Sequence, residues 1–126
     1  MAKVRITGGE WRSRLIQVTD ADGLRPTPDR VRETLFNWLG QDLSGLACLD
    51  LFAGSGILGF EAASRGAAHV TMVEKSRRVF EQLRRNDEAF ACERLELVCC
   101  DALKFPALPA RRYDLVFLDP PYHQGW

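Results

Sequence analysis

The sequence has no apolar run approaching the roughly 20 residues that cross a bilayer, which excludes a helical integral membrane protein. It also has no excess of charge, since seventeen basic and seventeen acidic residues cancel. Proteins that coat nucleic acid indiscriminately rely on a large positive field, so that class is disfavoured. The opening Met1-Ala-Lys-Val-Arg-Ile lacks the long apolar stretch of a secretory signal, so a cytoplasmic protein is expected. Histidine is scarce: His69 and His123 are too few and too scattered for a metal site or a catalytic triad. The four cysteines contain no C-x-x-C pair, and adjacent Cys99 and Cys100 fall on opposite faces of a strand. Reduced, mostly buried thiols and no bound metal are therefore expected.

What is present suits one small domain: 126 residues, 46% of them hydrophobic, are enough to build a core. Lys3, Arg5, Arg12 and Arg14 are opposed only by Glu10 within the first sixteen residues, which concentrates positive charge locally. Residues 4–6 and 15–18 have strand character around the break at Gly8-Gly9. After a polar loop over 20–25, Thr27-Pro28-Asp29 combines a capping hydroxyl, a proline at the first helical position and an acid in the first turn. The spacing of Val31, Leu35, Trp38 and Leu39 predicts the helix's packed face, and Gly40 its end. These signals divide the chain into a hairpin and loop over 1–26 and a core over 27–126.

From Leu46 onward, strands alternate with crossover helices. Strands are expected over 46–52, 70–73, 95–100 and 113–118. A helix follows Gly59 and ends near Gly66, and another covers 77–90 with Val79, Phe80, Leu83 and Phe90 on its apolar side. Residues 104–112 form a loop or short helix broken by Pro106 and Pro109. This is the pattern of an α/β, doubly wound, Rossmann-like and mostly parallel sheet. Asp50, Glu74, Asp101 and Asp119 fall at the carboxyl ends of successive strands, the edge at which such sheets bind ligands.

The first chemical motif is Asp50-Leu51-Phe52-Ala53-Gly54-Ser55-Gly56-Ile57-Leu58-Gly59. Its glycines let the backbone approach a ligand, and the helix that begins there is expected to present unpaired amides. Gly54, Gly56 and Gly59 also fit the dinucleotide fingerprint, with Glu74 where a ribose-binding acid belongs. Asp50 argues for a different ligand, because its carboxylate suits the ammonium of a methionine moiety and repels a pyrophosphate. The second motif is Asp119-Pro120-Pro121-Tyr122. The prolines stiffen the backbone and remove amide donors. Asp119 and the Pro120 carbonyl are then left to accept the two N–H groups of an exocyclic base amine, while Tyr122 offers a stacking face. Such acceptors favour a pyramidal nitrogen whose lone pair can attack an activated methyl group. The base must be unpaired or flipped out to reach them.

Together these motifs resemble the class I S-adenosylmethionine (SAM)-dependent methyltransferases of the amino-methylating kind. The stretches Arg5-Ile6-Thr7-Gly8-Gly9-Glu10-Trp11-Arg12-Ser13-Arg14-Leu15 and Leu24-Arg25-Pro26-Thr27-Pro28-Asp29-Arg30-Val31-Arg32-Glu33-Thr34-Leu35-Phe36-Asn37-Trp38-Leu39 narrow this. They resemble the RsmD-type bacterial small-subunit (16S) ribosomal RNA guanine-N2 methyltransferases. The resemblance implies that Asp50, Phe52, Ala53, Gly54, Ser55 and Gly56 hold the methionine end of SAM. Glu74, with Lys75 beside it, takes the ribose, and Asp101 and Ala102 take the adenine. Asp119, Pro120, Pro121 and Tyr122 hold the target guanine. Arg5, Trp11, Arg12, Arg14, Arg25 and Arg30 contact RNA, either free or in an assembling ribosomal particle, and the protein acts as a monomer.

Family members continue for several strands and helices beyond this motif, so C-terminal strands are expected to be missing here. SAM binding is expected to survive that loss better than turnover. Three alternatives stand beside this reading: a DNA adenine-N6 or cytosine-N4 methyltransferase, a non-catalytic SAM- or RNA-binding fragment, and a nicotinamide-dependent oxidoreductase. The last leaves residues 119–122 without a role.

Overall fold

The computed structural model describes residues 2–18, 28–105 and 113–118. The expected cap Thr27, the loop over 20–25, Pro106, Pro109 and the segment from Asp119 to Tyr122 lie outside the described residues.

Strands β1 (Ala2–Arg5) and β2 (Leu15–Val18) pair antiparallel, with Arg5 opposite Leu15. Beyond them the Ile6 amide donates to Arg14 O at 2.9 Å and the Ser13 amide donates to Ile6 O at 2.8 Å. Two residues thus oppose one, with Ser13 at φ 73°, which makes a β-bulge that turns the hairpin tip. The tip packs against the main body. A Cβ on Gly9, whose φ is +80°, would lie 2.0 Å from Ser64 O, so only glycine fits there.

The main sheet has the order β5-β4-β3-β6, built from β3 (Ala47–Asp50), β4 (His69–Glu74), β5 (Leu95–Cys99) and β6 (Leu115–Phe117). Every pairing in it is parallel. The expected doubly wound α/β architecture with an N-terminal hairpin is therefore what is observed. Strands 3, 4 and 5 run outward in sequence order, and β6 returns to the other side of β3. The order reverses between β3 and β6, the place where an open α/β sheet forms its ligand crevice.

Helix α1 spans Asp29–Leu39, one residue later than Thr27-Pro28 suggested, with Pro28 extended at ψ 152°. Of its expected packed face, Leu35 and Leu39 do lie against the core. Val31 and Trp38 are 53% and 83% exposed, whereas Arg32 and Phe36 are fully buried. The face is thus rotated from the expected one toward Arg32 and Phe36, because a guanidinium occupies an inward position that apolar periodicity passes over.

Helix α2 (Ile57–Ser64) is buried at every residue, Glu61 and Ser64 included, with the hairpin packed on it. Helix α3 (Arg77–Phe90) matches its expected limits and is capped by Ser76, whose hydroxyl accepts the Val79 amide at 3.3 Å. Its inner face carries Val79, Gln82, Leu83 and Asn86. Asn86 completes the free edge of β2, accepting from Gln17 N at 3.2 Å and donating to Gln17 O at 2.8 Å.

Ile6, Trp11, Ile16 and Val18 of the hairpin share one apolar cluster with Phe36, Phe60, Met72 and Leu83, so the hairpin packs as part of the core. Trp11, expected at an RNA surface, is a correction. It is 6% exposed, its ring lies 4.5 Å from that of Phe90, and burial of its large apolar surface explains its place. Cys48 is buried, and burial raises its thiol to about 11. Cys92, Cys99 and Cys100 are half-buried. No helix among the described residues is long and apolar enough to cross a membrane.

Candidate functional site

The acids at the strand ends form a regular series. Asp50 is in register with Met72 on β4, two residues before Glu74, and Glu74 is in register with Cys99, two residues before Asp101. Each step keeps the same side-chain parity and advances one strand and two residues, roughly 8 Å from the standard strand spacings. On the other flank Asp50 is in register with Phe117, two residues before Asp119 in the sequence.

The turn after β3 is fastened to both neighbouring strands. The Leu51 amide donates to Phe117 O at 3.3 Å, and the Ala53 amide to Val73 O at 2.9 Å. Asp50, 1% exposed, accepts the Phe52 amide at 3.3 Å. Glu74 accepts the Gly54 amide through one oxygen and the Ser76 amide through the other, both at 2.8 Å. It thereby ties the glycine turn to the start of α3. The Gly56 amide donates to Ala53 O at 2.7 Å, and the Ile57 amide to Ser55 Oγ at 3.2 Å. Gly56 has φ +84°, and a Cβ there would meet Leu83 Cδ1 at 2.3 Å. At Gly59 a Cβ would meet Met72 Sδ at 2.3 Å, so that glycine lets α2 lie directly on β4.

These contacts occupy most of the amides of the turn itself, while Leu58 and Gly59 in the first turn of α2 keep the outward amides expected of a helix start. A pyrophosphate cradle needs backbone N–H groups free to point at the anion. Here the amides of Phe52, Ala53, Gly54, Gly56 and Ile57 all have acceptors within the protein, two of them carboxylates. The carboxylates of Asp50, Glu74 and Asp101 suit a ligand rich in donors, such as SAM with its ammonium, ribose hydroxyls and adenine amine.

At the far end, Asp101 caps a short 3-10 turn over Ala102–Lys104, accepting the Leu103 amide at 2.9 Å. Cys100 beside it is pushed above its ordinary value, chiefly by burial and then by the neighbouring Cys99 and Asp101 charges. Lys75 is exposed at the same edge, and Ala102 is half-buried. Among the described residues no group of three or more His, Cys, Asp or Glu is placed to hold a metal ion.

The basic residues do not form one uniform surface. Arg12, Arg14 and Arg30 are exposed. Arg14 lays its guanidinium 4.0 Å over the Phe90 ring, so it packs as well as carrying charge. Arg5 is paired with Asp29 at 3.0 Å, and Arg25 lies outside the described residues.

Sequence reasoning missed a buried ionic cluster behind the turn. Glu61, fully buried on α2, accepts from Arg32 Nη1 at 2.9 Å and Arg65 Nε at 3.1 Å. It also accepts from the Thr7 amide and hydroxyl, each at 3.0 Å, and from the Gly8 amide at 2.9 Å. The signal was a lone carboxylate inside the otherwise small and apolar Ile57-Leu-Gly-Phe-Glu-Ala-Ala. Such a group must find cations or amides, and they come from the hairpin, from α1 and from Arg65 at the end of α2 itself.

The family described as Conserved hypothetical protein 95 matches residues 4–126. The chain is 47% identical over 123 residues to Ribosomal RNA small subunit methyltransferase D of Escherichia coli, covering 98% of this chain and 62% of that protein. It is 48% identical over 125 residues to the protein of the same name from Haemophilus influenzae, covering 96% and 65%. The chain thus spans less than two thirds of the length of these curated relatives. A solved Escherichia coli structure named for the methyltransferase yhhF superposes with a TM-score of 0.87 at 44% identity, covering 98% of this chain and 67% of that one.

Proposed function

The chain belongs to the Conserved hypothetical protein 95 family, which includes the small-subunit ribosomal RNA methyltransferase D enzymes, and from that membership we propose that it carries the SAM site and base-binding motif of a 16S ribosomal RNA guanine-N2 methyltransferase. One observation carries the cofactor half of the reading. Acids stand in a regular series at the carboxyl ends of adjacent strands, around a glycine turn that Asp50 and Glu74 fasten by accepting its Phe52 and Gly54 amides. The base half rests on Asp119-Pro120-Pro121-Tyr122, which follows β6 in the sequence. The choice of guanine and of 16S RNA rests on the N-terminal segments shared with the family.

Bound SAM supplies an activated methyl group. The protein's part is to hold its donors against Asp50, Glu74 and Asp101, and to hold the base so that the amine nitrogen faces that methyl. Asp119 and the Pro120 carbonyl accept the two amine N–H groups, and Tyr122 stacks on the ring. The proton leaves after the methyl group is in place, when the nitrogen has become acidic, with Asp119 as its acceptor. Arg12, Arg14, Arg30, Arg25 and Arg5 meet RNA phosphates, a contact that screens with salt. The substrate is cytoplasmic 16S RNA, free or in an assembling particle.

The test is methyl transfer from labelled SAM to 30S particles, naked ribosomal RNA and DNA, followed by nucleoside analysis. N2-methylguanosine from the ribosomal substrates is expected, and it should be abolished by Asp119→Ala while SAM affinity stays nearly unchanged. Label in an adenine or cytosine of DNA would overturn the assignment. Loss of SAM binding in Asp119→Ala would show that this residue serves the cofactor instead.

A further inference from the structure

Arg32 and Glu61 are both fully buried, and two guanidinium groups flank the single Glu61 carboxylate. Stability alone is a poor account of such a cluster, because well-packed apolar replacements of buried ion pairs are often neutral or stabilising. Its geometry suggests another role. Arg32 Nη1 donates both to Glu61 Oε1 at 2.9 Å and to the backbone carbonyl of Arg5 at 2.7 Å. Arg32 Nη2 pairs with one oxygen of Asp29, whose other oxygen takes the Arg5 guanidinium at 3.0 Å.

Arg5 is therefore fixed at both backbone and side chain. The same Glu61 carboxylate that anchors this fork accepts the Thr7 and Gly8 amides, which sets the register of the hairpin tip. Glu61 lies little more than one helical turn beyond Gly56, the last residue of the cofactor turn. Hydrogen bonds have direction where apolar contacts can slide, so this cluster fixes a distance and an angle between two surfaces.

We propose that Arg32 and Glu61 are positioning residues that hold the RNA-contacting hairpin, Arg5 included, in fixed register with the SAM-binding turn. The proposal rests on the methyltransferase reading for the identity of the two surfaces. It requires Arg at position 32, since the planar fork reaches three acceptors and a lysine ammonium on the same stem does not.

The test uses the triple variant Arg32→Met/Glu61→Leu/Arg65→Met, which removes every buried charge of the cluster, alongside Arg32→Lys. Melting temperature, SAM affinity, affinity for a 16S RNA fragment at fixed salt, and the kcat and KM of transfer are measured for each. The triple variant is expected to melt below wild type, because the Thr7 and Gly8 amides lose their acceptor, yet to bind SAM within about twofold of it. It should bind the RNA at least about fivefold more weakly, with kcat/KM reduced by about tenfold or more. Arg32→Lys should show the same selective loss in smaller degree, and it decides the matter if the triple variant does not fold.

Wild-type RNA affinity and turnover in a folded variant would overturn the positioning role, leaving a merely structural cluster. A wild-type chain that binds no SAM would instead defeat the methyltransferase reading. Hairpin positioning would then still be judged on RNA affinity, where equal binding by variant and wild type overturns it.

Discussion

Glu74 accepts the Gly54 amide at 2.8 Å across the gap between β4 and the glycine turn. Its second oxygen holds the Ser76 amide at the same distance. The residue that the fingerprint assigns to a ribose is thus also the fastener of the turn, and its lone pairs have room for both tasks because each carboxylate oxygen can accept twice. Glu74→Gln keeps the shape but offers only one acceptor oxygen to the two amides. A hydrogen bond to a charged group contributes about 1.5–3 kcal/mol. We predict at least a tenfold loss of SAM affinity with a smaller fall in melting temperature, read by calorimetry and thermal unfolding. Unchanged affinity would mean that Glu74 fastens the turn and does nothing for the ligand.

Gly56 tests the turn from the steric side. At φ +84°, with Leu83 Cδ1 2.3 Å and Phe60 Cε2 2.9 Å from a would-be Cβ, alanine faces both backbone strain and overpacking. Each effect costs on the order of 1–3 kcal/mol. Gly56→Ala is expected to lower unfolding free energy by more than about 2 kcal/mol in a denaturant titration and to abolish SAM binding. A variant as stable as wild type would show that the turn has another conformation available.

Helix α3 carries a titrating group with a pH signature. Burial, with the charge of Glu88 adding to it, raises the carboxyl of Asp87 above its ordinary value. Its buried Oδ1 has no hydrogen-bond partner among the described residues. The folded state therefore favours the protonated acid. Its contribution is fully present below the ordinary carboxylate value and is lost as pH rises through the raised folded value. Asp87→Asn, which mimics the protonated form, should melt higher than wild type near neutral pH. The difference should shrink to nothing below about pH 4. Melting curves across that range check this, and a variant less stable than wild type at neutral pH would contradict it.

Much of this architecture is legible in the sequence, for reasons that particular elements make clear. Helix α3 and strand β2 were read to the residue because local signals agree there: inward positions repeat at helical spacing in one and alternate in the other. The acid series was legible because strand ends and sequence order together determine which residues share an edge. In helix α1 only Val31 and Trp38 depart from the expected face, because Arg32 faces inward and its partners Arg5 and Glu61 lie 27 and 29 residues away. No local pattern shows that a charge is neutralised by a distant residue. Trp11 was assigned outward for the same reason, since the rings of Phe90 and the guanidinium of Arg94 that enclose it come from the far end of the core.

The glycine turn shows the limit most clearly. G-x-G-x-x-G suits either a dinucleotide or SAM. Asp50 and residues 119–122 favour SAM from the sequence, whereas the fastening of the turn through the Phe52 and Gly54 amides shows only in the structure.

The most direct test of the central claim is calorimetric titration of the wild-type chain with SAM and, separately, with NAD. One molar equivalent of SAM should bind, Glu74→Gln should weaken it by at least about tenfold, and NAD should give no heat of binding. Saturable NAD binding with no response to SAM would contradict the account.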